Sequence, residues 1–474
     1  MDPSILISFP DAAVFEFPPA PLPNTLPPPP AEFVHAPAFP IPTTVFHNLL
    51  SVYYPATIAL VYATTVVYLN GVNQQRGGRP WAFSHSSTFF GLVITHNIFL
   101  AIYSGWTFFG MCLMFNRVWP GLSGEHGLAA AMESICHIHG PKGLGNAVLF
   151  NTTAEAWTVM SPTVKLIEGA VPSNLDAGRM WNEGLAFYGW LFYISKFYEV
   201  VDTAIILAKG KQSSTLQLFH HTGAMFCMWA GIRYMAPPIA MFVTVNSGIH
   251  AMMYMYYTLT ALGTPIPVVI KRTLTTMQIM QFLAGTSGAI AYLFVRLTVP
   301  VSVPYTVTSS VPSAMQTAVT ATATAGLVNL LKKLAFRAAG EEGLAENVAG
   351  QHRLGGSGDV VREETRYREE YRTVPCIGTS GEAFAIWFNI TYLIPLTWLF
   401  VKFFIKSYSR RTSSSSRART STKAGHDAVK GLNRQIGTEA STNGSVGNGH
   451  AANGVAQNGN ASNGTVPEGE GTES

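Results

Sequence analysis

LQLFHHTGAMFCMW, Leu216 to Trp229, sets two adjacent histidines into a run that otherwise reads as the start of a membrane helix. Strongly polar side chains at membrane depth are costly, so they face a bundle interior or a pathway rather than lipid. Around His220 and His221 the composition agrees with a membrane setting. The chain has 474 residues, 48% of them hydrophobic and 12% charged, against roughly 25% charged in soluble domains. Apolar runs of about 20 residues, the length that crosses a bilayer, recur at Phe46–Leu69, Phe89–Phe115, Leu185–Leu207, Leu216–Met235, Ile239–Leu262, Leu274–Leu297 and Ala383–Ile405. They predict an all-α integral membrane protein with seven transmembrane helices. Several carry polar residues, which belong in a packed bundle. No nucleic-acid partner is expected.

Residues 1–45 are Pro-rich (LPNTLPPPPAEF) and lack the basic start of a cleavable signal, so they read as an unstructured arm. From about 406 to 474 the chain turns Ser/Arg-rich and then Asn/Gly/Ser-rich, a composition that cannot bury a core. Between them, 46–405 form the membrane domain. Short connections hold Arg76 and Arg79, Lys209 and Lys211, and Lys271 and Arg272, and the tail begins with Lys406, Arg410 and Arg411. The positive-inside rule places these in the cytoplasm, with the tail, and the N-terminus on the lumenal side. Two long connections, about 116–184 and 298–382, then face the lumen. The second, low-complexity at first and charged later (REETRYREEYR), reads as a partly disordered insertion or an error of gene prediction. Asn151 in NTT is a candidate lumenal glycosylation site.

Cys112 and Cys227 sit in apolar runs as small hydrophobes. Cys136 and Cys376 fall one in each long connection and are a candidate disulfide in an oxidising lumen, with two free thiols as the alternative.

The central runs share a polar pattern. KFYEVVDT places Lys196, Glu199, Asp202 and Thr203 along one helix face, and Gln217, His220 and His221 follow at i, i+3 and i+4. NSGIHAMMY adds Asn246, His250 and Tyr254 one turn apart, and TTMQIMQ adds Thr275, Gln278 and Gln281 by threes. At about 1.5 Å rise per residue, Asp202 and His220 lie near the basic end of the bundle, with Gln278 and His250 somewhat deeper. All converge on one chamber. Thr275, Gln281 and Tyr254 have a second reading as interhelical hydrogen-bond partners.

KFYEVVDT, LQLFHHTGAMFCMW, NSGIHAMMYMYY and TLTTMQIMQF resemble, in that order, the signature boxes of the ELO family of very-long-chain fatty acid elongases, particularly its fungal members. The likeness is close over about 185–297 and looser over the first two helices and the last. It implies a 3-oxoacyl-CoA synthase of the endoplasmic reticulum membrane that condenses acyl-CoA with malonyl-CoA, without a cofactor or a metal. It also implies that the last six helices close into a blind-ended barrel around the acyl chain. The ketoacyl reductase, dehydratase and enoyl reductase of the cycle would be its partners.

On that resemblance His220 is the candidate nucleophile, forming an acyl-imidazole; an imidazole attacks only when neutral, and an apolar bundle favours that form. His250 would face the reacting carbonyl, and His221, Asp202 and Asn246 would orient groups and handle protons. Lys196, Glu199, Tyr254, Gln278 and Gln281 complete the candidate substrate site. Lys209, Lys211, Lys271 and Arg272 are candidates for the CoA phosphates, or topology markers only. Relatives mostly read HxxHH where this chain reads QLFHH. Gln217 cannot exchange a proton near neutral pH, so its expected task is to hold the His220 ring by a hydrogen bond. Two other classes compete. A membrane di-iron desaturase or hydroxylase needs more histidines in spaced boxes, and His47, His85 and His96 lack such spacing. A transporter would favour an inverted repeat with broken helices, which the sequence does not display.

Overall fold

A computed structural model describes residues 2–20, 23–123, 126–162, 164–167, 170–311, 323–338, 351–354 and 360–406. The expected tail beyond Lys406, with Arg410 and Arg411, lies outside the described residues. The chain is mostly helical, and each apolar run falls largely on helix. A short α1 (Thr43–Leu49) leads into α2 (Tyr53–Gln75), and α3 (Ser87–Val118) follows. After α4 (Gly127–Cys136) come a π-helical stretch Trp181–Gly189, α5 (Trp190–Tyr198) and α6 (Val200–Ala208). Then follow α7 (Thr215–Arg233), α8 (Ile239–Ala261), α9 (Val268–Phe294), α10 (Ala323–Ala338) and α11 (Ser380–Phe404). Three of these, α2, α3 and α11, are long and apolar enough to cross a membrane.

Local chemistry sets the helix starts. The Ser86 hydroxyl accepts from the Phe89 amide to open α3, and Ser214 does the same for Gln217 at the start of α7. Thr379 and Glu382 form a reciprocal capping box on α11. The third apolar run is not one helix. Gly184, at φ 150°, interrupts its π-helical start, and a tight turn at Glu199 separates α5 from α6, with the Asp202 amide donating to the Glu199 carbonyl at 3.1 Å. Lys196 and Asp202 therefore do not share one straight face.

α3 packs along α8, α11 against α7 and α9, and α2 against α6 and α7. The fully buried Asn73 ties the α2–α3 connection to the one after α6. Its amide donates to the Leu207 and Lys211 carbonyls and its oxygen accepts from the Trp81 indole. At the opposite end of the bundle the chain departs from an all-α expectation. β1 (Ser4–Ile7), β4 (Val295–Val311), β6 (Val360–Pro375) and β5 (Gln351–Leu354) make an antiparallel sheet in the order β1-β4-β6-β5. β2 (Val148–Asn151) and β3 (Ala156–Val159) form a hairpin, with Asn151 exposed.

Three expectations are corrected here. The sixth apolar run ends in strand, since α9 stops at Phe294 and Val295 to Leu297 belong to β4. The connection read as an insertion contributes β4 and β6, whose register runs from Arg296↔Pro375 to Val311↔Val360. Leu297, Val299 and Val301 alternate inward and pack around Cys136 and Cys376, which form a disulfide. Residues 1–45 are not a free arm. Thr25 donates to the Arg233 carbonyl, Trp181 donates to the Leu26 carbonyl, the Ala20 amide donates to Ser380, and Asp11 pairs with Arg296. Proline removes amide donors from much of this segment, so beyond the β1 pairing with β4 it is held by scattered backbone and side-chain contacts.

Arg179, outside the long helices, fixes this end. Its guanidinium grips both Glu133 oxygens at 2.8 Å and donates to the Pro141, His137 and Gly143 carbonyls. All its N–H groups are used. Burial pushes the Glu133 carboxyl up, but Arg179 and His137 outweigh it and hold the group below the usual carboxylate range. Arg179→Met strands a buried carboxylate and should lower stability by about 3–5 kcal/mol in thermal unfolding. Because the folded value is depressed, the wild-type contribution is present above the ordinary carboxylate pKa and is lost as pH falls through the folded value. An unchanged melting temperature in the variant would show that the pair contributes nothing.

Candidate active site

The polar residues of the central helices meet where α6 ends and α7 begins. Gln217 and His220 stand in the first two turns of α7, positioned by the Ser214 cap. One cavity, of about 100 Å³, is lined by Glu199, Asp202, Gln217, His220, His221, His250, Tyr254 and Gln278, with Phe400 and Phe403 of α11. A second, of about 80 Å³, is walled by Phe192, Ala224, Met228, Phe242, Phe282 and Leu393, with Lys196, Asn246 and Gln281 among them. His220 is the residue common to both linings. A polar chamber and an apolar pocket thus share one imidazole.

Each buried polar group is held by another helix. Asp202 accepts from Tyr254 at 2.6 Å on one oxygen and contacts His96 Nε2 at 2.8 Å on the other. His96 Nδ1 in turn lies 3.2 Å from the Tyr198 hydroxyl. Lys196 donates to Glu199 at 2.6 Å and sits over the Phe192 ring, and His250 Nδ1 lies 3.7 Å from the same Glu199 oxygen. Asn246 and Gln281 are 3.5 Å apart, and Gln278 donates to the Met253 sulfur. The His221 ring packs edge-on to Tyr62. Among the described residues no group of three or more His, Cys, Asp or Glu is arranged to hold a metal ion.

The expected role of Gln217 is corrected. Its amide donates to Thr203 Oγ1 at 3.0 Å, beside Tyr62, whose hydroxyl shares that same Thr203 oxygen. The His220 ring is held instead by Tyr392, whose hydroxyl is 2.8 Å from Nδ1. Helical spacing pairs Gln217 with His220, but α11 reaches the ring from the other side. Tyr392 and His96 were both missed. His96 carried the same signal as His220, an imidazole inside an apolar run, and was set aside for want of a box; Tyr392, far away in sequence, carried none.

None of the four candidate CoA-binding cations lines either cavity. Lys271 is buried in the first turn of α9. Arg272 is exposed, with its guanidinium 6.0 Å from the Phe404 ring, beside the chamber residue Phe403. Burial and the neighbouring Lys211 push Lys209 down to about 8. Thr275 bonds back to the Lys271 carbonyl of its own helix, outside both linings.

The family model described as ELO: GNS1/SUR4 family matches residues 48–416. The chain is 32% identical over 129 residues to very long chain fatty acid elongase 3 of Homo sapiens, covering 27% of this chain and 47% of that protein. It is 39% identical over 112 residues to fatty acid elongase sre1 of Dictyostelium discoideum, covering 23% and 41%. With fatty acid elongase 2 of Trypanosoma brucei brucei it is 27% identical over 196 residues, covering 37% and 68%. The matched part thus spans somewhat under half of the first two relatives. No solved structure matches.

The His96–Asp202 contact can be checked directly. His96→Leu leaves the carboxylate with Tyr254 as its remaining donor among the described residues and should lower thermal stability by roughly 1.5–3 kcal/mol, the range for a hydrogen bond to a charged group. An unaltered melting curve would mean that solvent serves Asp202 equally well.

Proposed function

The chain belongs to the ELO (GNS1/SUR4) family, and on that premise we propose that it is a 3-oxoacyl-CoA synthase, condensing a long-chain acyl-CoA with malonyl-CoA in the first step of fatty acid elongation. One observation carries the reading to this site: an apolar pocket and a polar chamber meet at His220. The hydrocarbon of an acyl thioester belongs in the first and the thioester and CoA in the second. Its carbonyl carbon is then left at the imidazole.

His220 attacks the thioester carbon; the C–S bond breaks, CoA leaves as the thiolate and takes up a proton, and an acyl-imidazole remains. Malonyl-CoA then loses CO2. The resulting enolate carbon attacks the acyl carbon, the C–N bond breaks, and the departing imidazole nitrogen takes up a proton, leaving 3-oxoacyl-CoA and neutral His220. The order lets two bulky CoA esters use one mouth in turn. His250 and His221 are the candidate donors to the developing oxyanion, Asp202 and Asn246 orient groups around it, and the Lys196–Glu199 pair places a neutralised charge at the junction.

The site belongs, in this reading, to a seven-helix bundle whose last six helices enclose the acyl chain, in the membrane of the endoplasmic reticulum. The Cys136–Cys376 disulfide lies at the end of the bundle opposite Lys209, Lys211 and Arg272. An oxidising lumen favours a disulfide and a cytoplasmic face favours the cations, so the two criteria support one orientation. The reductases and dehydratase that finish the cycle would act at the cytoplasmic face. Among the cations, exposed Arg272 is the candidate of most direct access to the CoA phosphates. Lys209 and Lys211, two positions apart, set two positive charges close together, which suits a phosphate. Membranes containing the chain, given labelled malonyl-CoA and an acyl-CoA, should yield a lengthened 3-oxoacyl product; absence of that product removes the reading.

His220→Ala should abolish condensation, and intact-mass analysis after exposure to acyl-CoA alone should show an acyl adduct on the wild type and none on the variant. An adduct that persists in the variant moves the nucleophile elsewhere. Arg272→Ala, Lys209→Ala and Lys211→Ala should raise KM for malonyl-CoA more than they lower kcat, because phosphate contacts far from the reacting carbon bind ground and transition states alike. Lys271→Ala should act mainly on stability. Unchanged KM in the first three sends the CoA site to another surface.

A further inference from the structure

Gly223 stands inside α7, where glycine costs about 1 kcal/mol relative to alanine, with no turn or positive φ to require it. Its reason lies on α11. A Cβ at Gly223 would come within 2.3 Å of two carbons of the Tyr392 ring, so the missing side chain is what admits that ring against the helix. Phe219 stacks on it, with centroids 5.6 Å apart. In this berth the Tyr392 hydroxyl reaches one residue twice: His220 Nδ1 at 2.8 Å and the His220 main-chain carbonyl at 3.1 Å.

A phenol has one proton to give. Given to the carbonyl, which can only accept, it leaves the phenolic oxygen free to accept from an Nδ1–H, and both contacts are satisfied. Given to Nδ1, it leaves two oxygens facing each other across 3.1 Å with no proton between them. The first arrangement places the imidazole proton on Nδ1. Nε2, which makes no hydrogen bond among the described residues, then keeps its lone pair.

The geometry points to Gly223 and Tyr392 as a positioning pair that holds neutral His220 in its Nδ1–H tautomer, so that Nε2 is the attacking nitrogen. The catalytic consequence rests on His220 being the nucleophile proposed above; the tautomer does not. The phenol ring stands in the wall of the apolar pocket, but its hydroxyl is turned to His220. It acts through the His220 ring, as the partner of one imidazole nitrogen decides the state of the other.

Nitrogen-15 histidine spectra of the full chain in micelles, recorded above the ordinary histidine titration range, test the tautomer before any turnover. The His220 signals are identified by their loss in His220→Gln. The expected spectrum shows a protonated Nδ1 and a bare Nε2. Tyr392→Phe, which removes the acceptor, should shift the ring toward the Nε2–H form. Gly223→Ala, which keeps the hydroxyl but displaces the ring, should do the same. Both should slow formation of the acyl adduct roughly tenfold to a thousandfold, the range of a lost positioning contact, with KM for acyl-CoA unchanged. A wild-type His220 already protonated on Nε2 overturns the inference, as does a Tyr392→Phe spectrum identical to wild type. Should Tyr392→Phe not fold, the wild-type and Gly223→Ala spectra still decide. A bare Nε2 in a wild type that forms no adduct would instead refute His220 as nucleophile while leaving the tautomer in place.

Discussion

A carboxylate inside an apolar bundle has to be paired, and much of this structure follows from how Asp202 is paired. Its two oxygens take partners from α3 and α8, His96 and Tyr254. One side chain of α6 thereby fixes the relative placement of three helices. The same requirement recurs at Glu199, which satisfies Lys196 and Ser195 of α5 and lies near His250 of α8, and at Glu133, which with three carbonyl bonds saturates Arg179. An unpaired ion at any of these places would cost several kcal/mol. The polar groups thus act as registration points between helices whose apolar surfaces, taken alone, specify register weakly.

That pairing divides the bundle into a polar and an apolar compartment. Groups that can hold charge gather toward the basic connections, while Ala224, Met228, Phe242 and Phe282 line the space on the other side of His220. An amphiphilic thioester needs both surroundings within one molecule's length. The opposite end is closed by different means: a disulfide, an antiparallel sheet, a saturated arginine and the Pro-rich N-terminal segment. Rigidity there and polarity here keep the two ends of the bundle chemically separate.

Much of this was legible from periodicity. Runs of apolar residues marked the helices, and polar residues at helical spacing placed Glu199, Asp202, Gln217, His220, His221, His250, Tyr254 and Gln278 in one chamber, where the structure has them. Lys196, Asn246 and Gln281 went instead to the neighbouring apolar pocket: the turn at Glu199 breaks the face Lys196 was to share with Asp202, and Asn246 and Gln281 meet each other across α8 and α9. The strands from Val295 and Val360 escaped notice although Leu297, Val299 and Val301 alternate. Their pairing partner is separated from them by a long low-complexity stretch, and a strand without its partner looks like any polar-apolar alternation.

By itself, the sequence determined which segments become helix and which polar side chains lie on which face, because backbone hydrogen bonding within a helix is local and its period is constant. It also carried, through four ordered boxes, the family to which the chain belongs. Only the tertiary structure decided who holds whom: Tyr392 rather than Gln217 on the His220 ring, His96 on Asp202, and the Pro-rich segment against Trp181 and Arg233. Those contacts join residues more than 100 positions apart, and side-chain pairing at such separation is set by how helices pack against each other, which no local period encodes.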